Sequence, residues 1–159
     1  MQPTENRRSD LQGKKRQAQE GGRTYRVLLA EDDREMRTLL AWELEDKGFE
    51  VVEATDGIDL LKHMAPILSH VDTCSRFDVI VSDIRMPGLT GMEILAGLRK
   101  RDKLTPVILI TAFGDDLTHA EAEELGASAM LDKPFDTGDL VTTIRRFLVP
   151  RTHNETRAT

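Results

Sequence analysis

The sequence predicts an α/β domain built on a doubly wound parallel sheet, and three observations carry that expectation. From Arg26 onward, short apolar runs alternate with amphipathic segments whose apolar residues recur at helical spacing. The alternation repeats five times, the pattern of strands joined through crossover helices. The runs Phe77 to Ser82 and Val107 to Ile110 are also densely apolar, as expected of central strands buried on both faces.

The elements follow in order. Val27-Leu28-Leu29-Ala30 forms the first strand, and a helix with the stripe Met36, Leu39, Leu40 and Leu44 ends at Gly48. Phe49 to Glu53 is a half-polar strand suited to a sheet edge, followed by a helix through Leu60, Leu61, Met64, Ile67 and Leu68. After the two central strands come helices through Ile94-Leu95-Leu98 and through Ala120 to Leu125. Ala129-Met130-Leu131 is the last strand, and Leu140, Val141, Ile144, Phe147 and Leu148 stripe the final helix, which Pro150 stops. The link from Leu61 to Phe77, through Ala65-Pro66, His70 and Cys74, is long enough for an extended second helix or an added loop, with Asp72 to Ser75 as a surface turn. Trp42 is expected beside the core stripe of the first helix.

At 159 residues one domain with short tails is expected, and a second folded output unit is not. Residues 1–24 carry six basic and three acidic side chains around an isolated Leu11, a composition that cannot bury enough surface to order itself. They read as a flexible basic arm, residues 25–149 as the folded domain with a net charge of −10, and residues 150–159 as a polar tail. The cluster Lys14-Lys15-Arg16 could touch nucleic acid, but a short charge run is more often a solvated tail, so nucleic acid is not expected as a partner. No stretch approaches the roughly 20 apolar residues of a membrane span, and the N-terminus has no apolar signal core, so a cytoplasmic protein without a membrane partner is expected. Cys74 is read as a spectator thiol, and His63, His70, His119 and His153 as surface residues that form no ligand set.

Doubly wound sheets bind ligands beyond the carboxyl ends of their strands, so the informative residues are those just after each strand. They are Glu31-Asp32-Asp33, Asp83, Thr111 and Lys133-Pro134. Singly, each has an ordinary explanation, and Asp33 is assigned as the N-cap of the first helix. Together, if the first, third, fourth and fifth strands lie side by side, they gather carboxylates, a hydroxyl and an ammonium in one crevice. Two like charges ~4 Å apart repel by about 4 kcal/mol at an effective dielectric of 20, so such a cluster calls for a cation or a raised pKa. An all-oxygen site of this kind suits Mg²⁺, held by Glu31, Asp32 and Asp83, with Asp83 also placed as a nucleophile toward phosphorus. Lys133 and Thr111 would then serve the phosphoryl oxygens.

On these residues the sequence resembles the receiver domains of two-component response regulators over roughly residues 25–149. The resemblance rests on residues 27–33, on residues 78–88 with Gly91 following, on Ile110-Thr111-Ala112, and on Gly126-Ala127 before Lys133-Pro134-Phe135. It implies a flavodoxin-like five-stranded sheet of order 2-1-3-4-5, which agrees with the half-polar second strand as an edge. It implies Asp83 as phosphoacceptor, Thr111 as switch hydroxyl, Lys133 as phosphate contact, and Mg²⁺ held by Glu31, Asp32, Asp83 and the backbone carbonyl of Arg85. The donor it implies is a histidine kinase or a histidine phosphotransfer protein. The chain would thus act on itself, catalysing its own phosphorylation and slow dephosphorylation, rather than turn over a separate substrate. A downstream protein, and a second copy through the face from the fourth to the fifth helix, are the further candidate partners.

Two departures stand out. Met130 occupies the last-strand position where the family often carries an aromatic, so a switch that repacks the fourth helix, fifth strand and fifth helix would work here without a tyrosine. Arg85 and Phe113 fall at positions that the resemblance places beside the path of hydrolytic water, and both are bulky. Two other classes compete: a receiver-like docking module that works without phosphorylation, against which the complete set of site residues argues, and a haloacid-dehalogenase-like phosphohydrolase, which needs a second aspartate where Arg85 stands.

Overall fold

The computed structural model describes residues 23–69 and 76–148. Five strands and five helices alternate: β1 (Arg26–Ala30), α1 (Arg34–Asp46), β2 (Glu50–Ala54), α2 (Gly57–Leu68), β3 (Val79–Asp83), α3 (Gly91–Arg99), β4 (Val107–Thr111), α4 (Asp116–Leu125), β5 (Ala129–Asp132) and α5 (Thr137–Phe147). The strands form one parallel sheet of order β2-β1-β3-β4-β5, as expected from the sequence. Residues 1–22 of the arm and the tail, together with His70, Cys74, His153 and the Asp72 to Ser75 turn, lie outside the described residues, and Arg23 of the arm donates to Asp78 Oδ1 at 2.6 Å. Among the described residues no helix is long and apolar enough to cross a membrane.

Side chains alternate across each strand, so every central strand feeds two cores. Leu28, Ala30, Ile80 and Leu109 pack with Leu60 and Met64 of α2, Ile94, Leu95 and Leu98 of α3 and Ala122 of α4. Val27, Leu29, Val79, Val81, Ile108 and Ile110 turn the other way onto Leu40, Ala41 and Leu44 of α1 and Leu140, Val141 and Ile144 of α5. This explains why β1, β3 and β4 have no polar face.

Each helix begins on a side chain that accepts from one of its free amides. Asp33 takes Met36 N at 2.8 Å, which makes it the cap of α1 as read from the sequence. Asp56, Thr90, Asp115 and Asp136 do the same for α2 to α5. Because these helices start just beyond the strand ends, the caps fix the geometry of the turns that carry the polar residues.

The stripe of α1 is corrected in one place. Leu39 is 49% exposed, and Ala41 takes the buried position instead. On a helix, residues 40, 41 and 44 share the face toward the sheet, whereas Leu39 and Trp42 fall on the opposite side, so Trp42, 60% exposed, stands away from the core stripe and not beside it. Leu61 of α2 is likewise exposed beside the buried Leu60 and Met64. α2 continues through Pro66 to Leu68, and most of the remaining link to Phe77 lies outside the described residues. β2 begins at Glu50 rather than Phe49, and β3 begins at Val79 rather than Phe77 and runs one residue further, so that Asp83 is its last residue.

Gly91 ties the fold to that aspartate. A Cβ at position 91 would stand 2.5 Å from the Asp83 carbonyl oxygen and 3.1 Å from Ile84 Cα, while the Gly91 amide donates to Ile84 O at 2.9 Å. Only a residue without a side chain lets α3 start against the backbone at the end of β3. Gly91→Ala is expected to lower stability by about 1–3 kcal/mol through overpacking, measured by urea denaturation.

Candidate functional site

The polar residues after β1, β3, β4 and β5 meet at one end of the sheet. Glu31 follows β1, and its amide donates to Ala54 O at 3.2 Å, so the end of β1 is held against the end of β2. Its carboxylate is turned inward and is 1% exposed, with Oε1 accepting from Asp33 N at 3.2 Å. Asp83 is also buried, and its Oδ1 accepts from the Arg85 amide at 3.1 Å. Asp32 is exposed at the rim. One carboxylate oxygen from each of Glu31, Asp32 and Asp83 lies within 4.8 Å of the others.

Lys133 reaches this cluster from the far end of β5. Its Nζ donates to Glu31 Oε2 at 3.0 Å and to Asp83 Oδ2 at 2.7 Å. The backbone is tied down beside it, because Lys133 N donates to Thr111 O at 2.7 Å. Thr111 is buried at the end of β4, one residue beyond the Asp83–Ile110 pairing, and its Oγ1 accepts from Phe113 N at 3.1 Å. Glu31, Asp32, Asp83 and Lys133 therefore converge here, Thr111 stands at the neighbouring strand end, and of Arg85 it is the amide that holds Asp83.

Arg85 and Phe113 come together as well. The guanidinium carbon of Arg85 lies 4.4 Å from the centroid of the Phe113 ring, a cation–π contact between the loops that follow β3 and β4. It bridges the two loops that carry the residues bonded to Asp83 and Thr111. Spacing alone could not show that the two residues touch. His119, read as a surface residue, has a partner too: Nε2 lies 2.9 Å from Asp132 Oδ1, joining α4 to the end of β5. Gly114 threads beneath that pair, where a Cβ would run into the Asp132 carboxylate.

Burial, more than any neighbour, pushes the Glu31 carboxyl up to about 7; the Asp83 charge adds to the rise, and the hydrogen bond from Lys133 opposes it. The Lys133 ammonium is held above the ordinary lysine range, because its bonds to Asp83 and Glu31 outweigh the burial that opposes charge. The donor set is all oxygen, anionic and clustered, which fits a hard divalent cation such as Mg²⁺.

With this geometry in place, the family comparison decides the lineage: the model of the response regulator receiver domain matches residues 27–145. The chain belongs to that family. Over 126 residues, 77% of this chain, it is 38% identical to the transcriptional regulatory protein CpxR of Escherichia coli K12, of which it covers 49%. It is 39% identical to the C4-dicarboxylate transport transcriptional regulatory protein DctD of Pseudomonas aeruginosa over 128 residues, 79% of this chain and 25% of that protein. The receiver chain thus spans about half the length of the first of these relatives and a quarter of the second. Among solved structures it is similar to the chemotaxis protein CheY4 of Vibrio cholerae, at 32% identity and a TM-score of 0.69, with 79% of this chain and all of that chain covered.

The raised Glu31 pKa sets a pH dependence. The fold binds this proton more tightly than the unfolded chain, so the stability it contributes is full below about 4.5 and is lost as pH rises through about 7. A cation requires the deprotonated carboxylate, so Mg²⁺ affinity is expected to climb between about pH 6 and 8 and then level off. Calorimetric titration across that range measures it, and Glu31→Gln is expected to bind more weakly and to flatten the climb.

Proposed function

We propose that this receiver domain is a phosphorylation-controlled switch in which Asp83 is the phosphoacceptor. The observation that carries the reading is the convergence of Asp83 with Glu31, Asp32 and the Lys133 ammonium at the carboxyl end of the sheet. A carboxylate oxygen of Asp83 attacks the phosphorus of a phosphohistidine on a histidine kinase or histidine phosphotransfer protein. An O–P bond forms as the P–N bond breaks, and the departing imidazole nitrogen keeps the electron pair and takes a proton. Receiver domains hold Mg²⁺ at such an acidic site; here Glu31, Asp32, Asp83 and the Arg85 carbonyl would hold it, and bound there it neutralises charge on the phosphoryl oxygens.

Lys133 lies where it can leave Asp83 for a phosphoryl oxygen, since the ion pair it makes now is with the reacting group itself. Thr111 offers a hydroxyl at the neighbouring strand end; its Oγ1 accepts from the Phe113 amide, and its O–H is the group that would donate to a phosphoryl oxygen. Movement there would pass to the surface of α4, β5 and α5. Met130, which packs against the core beneath α4, would accommodate that movement by rotamer change in place of an aromatic side chain. The output would be a change in contacts with a downstream protein.

The Arg85–Phe113 stack slows decay of the phosphoryl group in this reading, because it closes the mouth of the site to attacking water. The contact is exposed, with Phe113 64% accessible, so it is worth roughly 0.5–1 kcal/mol. Replacing both residues with small ones is expected to shorten the phosphoryl lifetime by up to about fivefold, followed by loss of radiolabel. An unchanged lifetime would remove this role from the stack.

The acceptor is tested by mass. With a small acyl phosphate and Mg²⁺, the protein is expected to gain one phosphoryl group and Asp83→Asn none. An unmodified protein under those conditions would favour a docking module that works without phosphorylation.

A further inference from the structure

Arg37 stands outside the constellation of site residues, yet it grips the backbone on which two of them are mounted. It lies in the first turn of α1, with a side chain only 13% exposed. Its Nη1 donates to the main-chain carbonyl of Glu31 at 2.8 Å. That carbonyl belongs to the peptide unit joining Glu31 to Asp32, so one bond fixes the plane from which both carboxylates of the acidic pair depart. Its Nε donates to Glu53 Oε1 at 3.3 Å, from β2 on the other side of β1. Glu53 lies two residues from Val51, which faces the core under α1, so it points to the same side of the sheet as Arg37.

We infer that Arg37, aimed by Glu53, is a positioning residue for the Glu31-Asp32 pair and thereby sets how well the site holds its divalent cation. The inference rests on the reading of that pair as metal ligands. Three features separate it from an ordinary ion pair between a helix and a strand. The shorter of its two bonds goes to the peptide carbonyl and not to the carboxylate. The guanidinium is largely buried while Glu53 is half exposed, so the acid serves to orient the base more than to stabilise the fold. And the turn's other bonds, the Glu31 amide on Ala54, the Asp33 amide on the Glu31 carboxylate and Asp33 capping α1, engage groups other than the Glu31 carbonyl, which Arg37 holds. A carboxylate pair whose peptide can rotate would still find a cation, but at the expense of being ordered on binding.

The test measures Mg²⁺ affinity by calorimetry, and the initial rate of labelling by an acyl phosphate across Mg²⁺ concentrations, in the wild type, Arg37→Gln, Arg37→Lys and Glu53→Gln. Arg37→Gln is expected to weaken Mg²⁺ binding about tenfold and to raise the half-saturating Mg²⁺ equally, with the rate at saturating Mg²⁺ unchanged within about twofold. Arg37→Lys, which can still reach the carbonyl, recovers part of the loss, and Glu53→Gln shows a smaller shift in the same direction. Unchanged Mg²⁺ affinity in Arg37→Gln with a lowered melting temperature would overturn the inference and leave a structural ion pair. A lowered maximal rate at unchanged affinity would overturn it as well. If Arg37→Gln does not fold, Arg37→Lys and Glu53→Gln decide by the same affinity readout. Labelling that fails in the wild type, or persists in Asp83→Asn, would overturn the phosphoacceptor reading instead, and the calorimetric affinities would still decide the role of Arg37.

Discussion

Three carboxylates whose oxygens approach within 4.8 Å set the terms for the rest of this molecule. Their mutual repulsion must be met by positive charge or by a proton, and both answers are visible. Lys133 places its ammonium 3.0 Å from Glu31 and 2.7 Å from Asp83, while burial raises the Glu31 pKa toward neutrality. The lysine comes from the far side of the sheet, more than a hundred positions along the chain from Glu31. The ion pair therefore exists only when β1, β3, β4 and β5 are all in register. Sheet order and site chemistry are the same constraint seen at two scales.

The arrangement is suited to change more than to rest. A lysine bonded to Asp83 is a contact that a phosphoryl group would compete for, and the threonine hydroxyl, which accepts from a loop amide, keeps its own hydrogen to donate. What surrounds them is rigid. Gly91 seats α3 on the Asp83 backbone, and Asp33 caps α1. A fixed backbone with exchangeable side-chain bonds lets a small chemical event at Asp83 move loops without loosening the core.

The α4 side of the domain differs in its connections. α4 buries little beyond Ala122 and carries exposed Leu117, and it is joined to β5 by the His119–Asp132 pair over Gly114. With Met130 beneath it in place of an aromatic, that surface is held more by polar contacts at its rim than by side-chain volume below. A lightly buried helix beside the threonine is the element with the least packing to lose on moving.

The sequence by itself determined the elements and pointed to the residues that converge at the strand ends. Strand apolarity and helical spacing depend on which faces are buried, and polar residues after buried strands have few structural reasons to be there, so both are written locally in Val27 to Asp33, Val79 to Asp83 and Val107 to Thr111. It misjudged Leu39, because a four-residue apolar stripe leaves the helix phase open until the sheet chooses Leu40, Ala41 and Leu44. Contacts between distant turns were decided only by the tertiary structure: the Lys133 bridge, the Arg85–Phe113 stack, the His119–Asp132 pair and the Arg37 grip on the Glu31 carbonyl. Each joins residues whose separation along the chain says nothing of their distance in space. That distance is fixed by the twist, register and packing of the sheet that carries them.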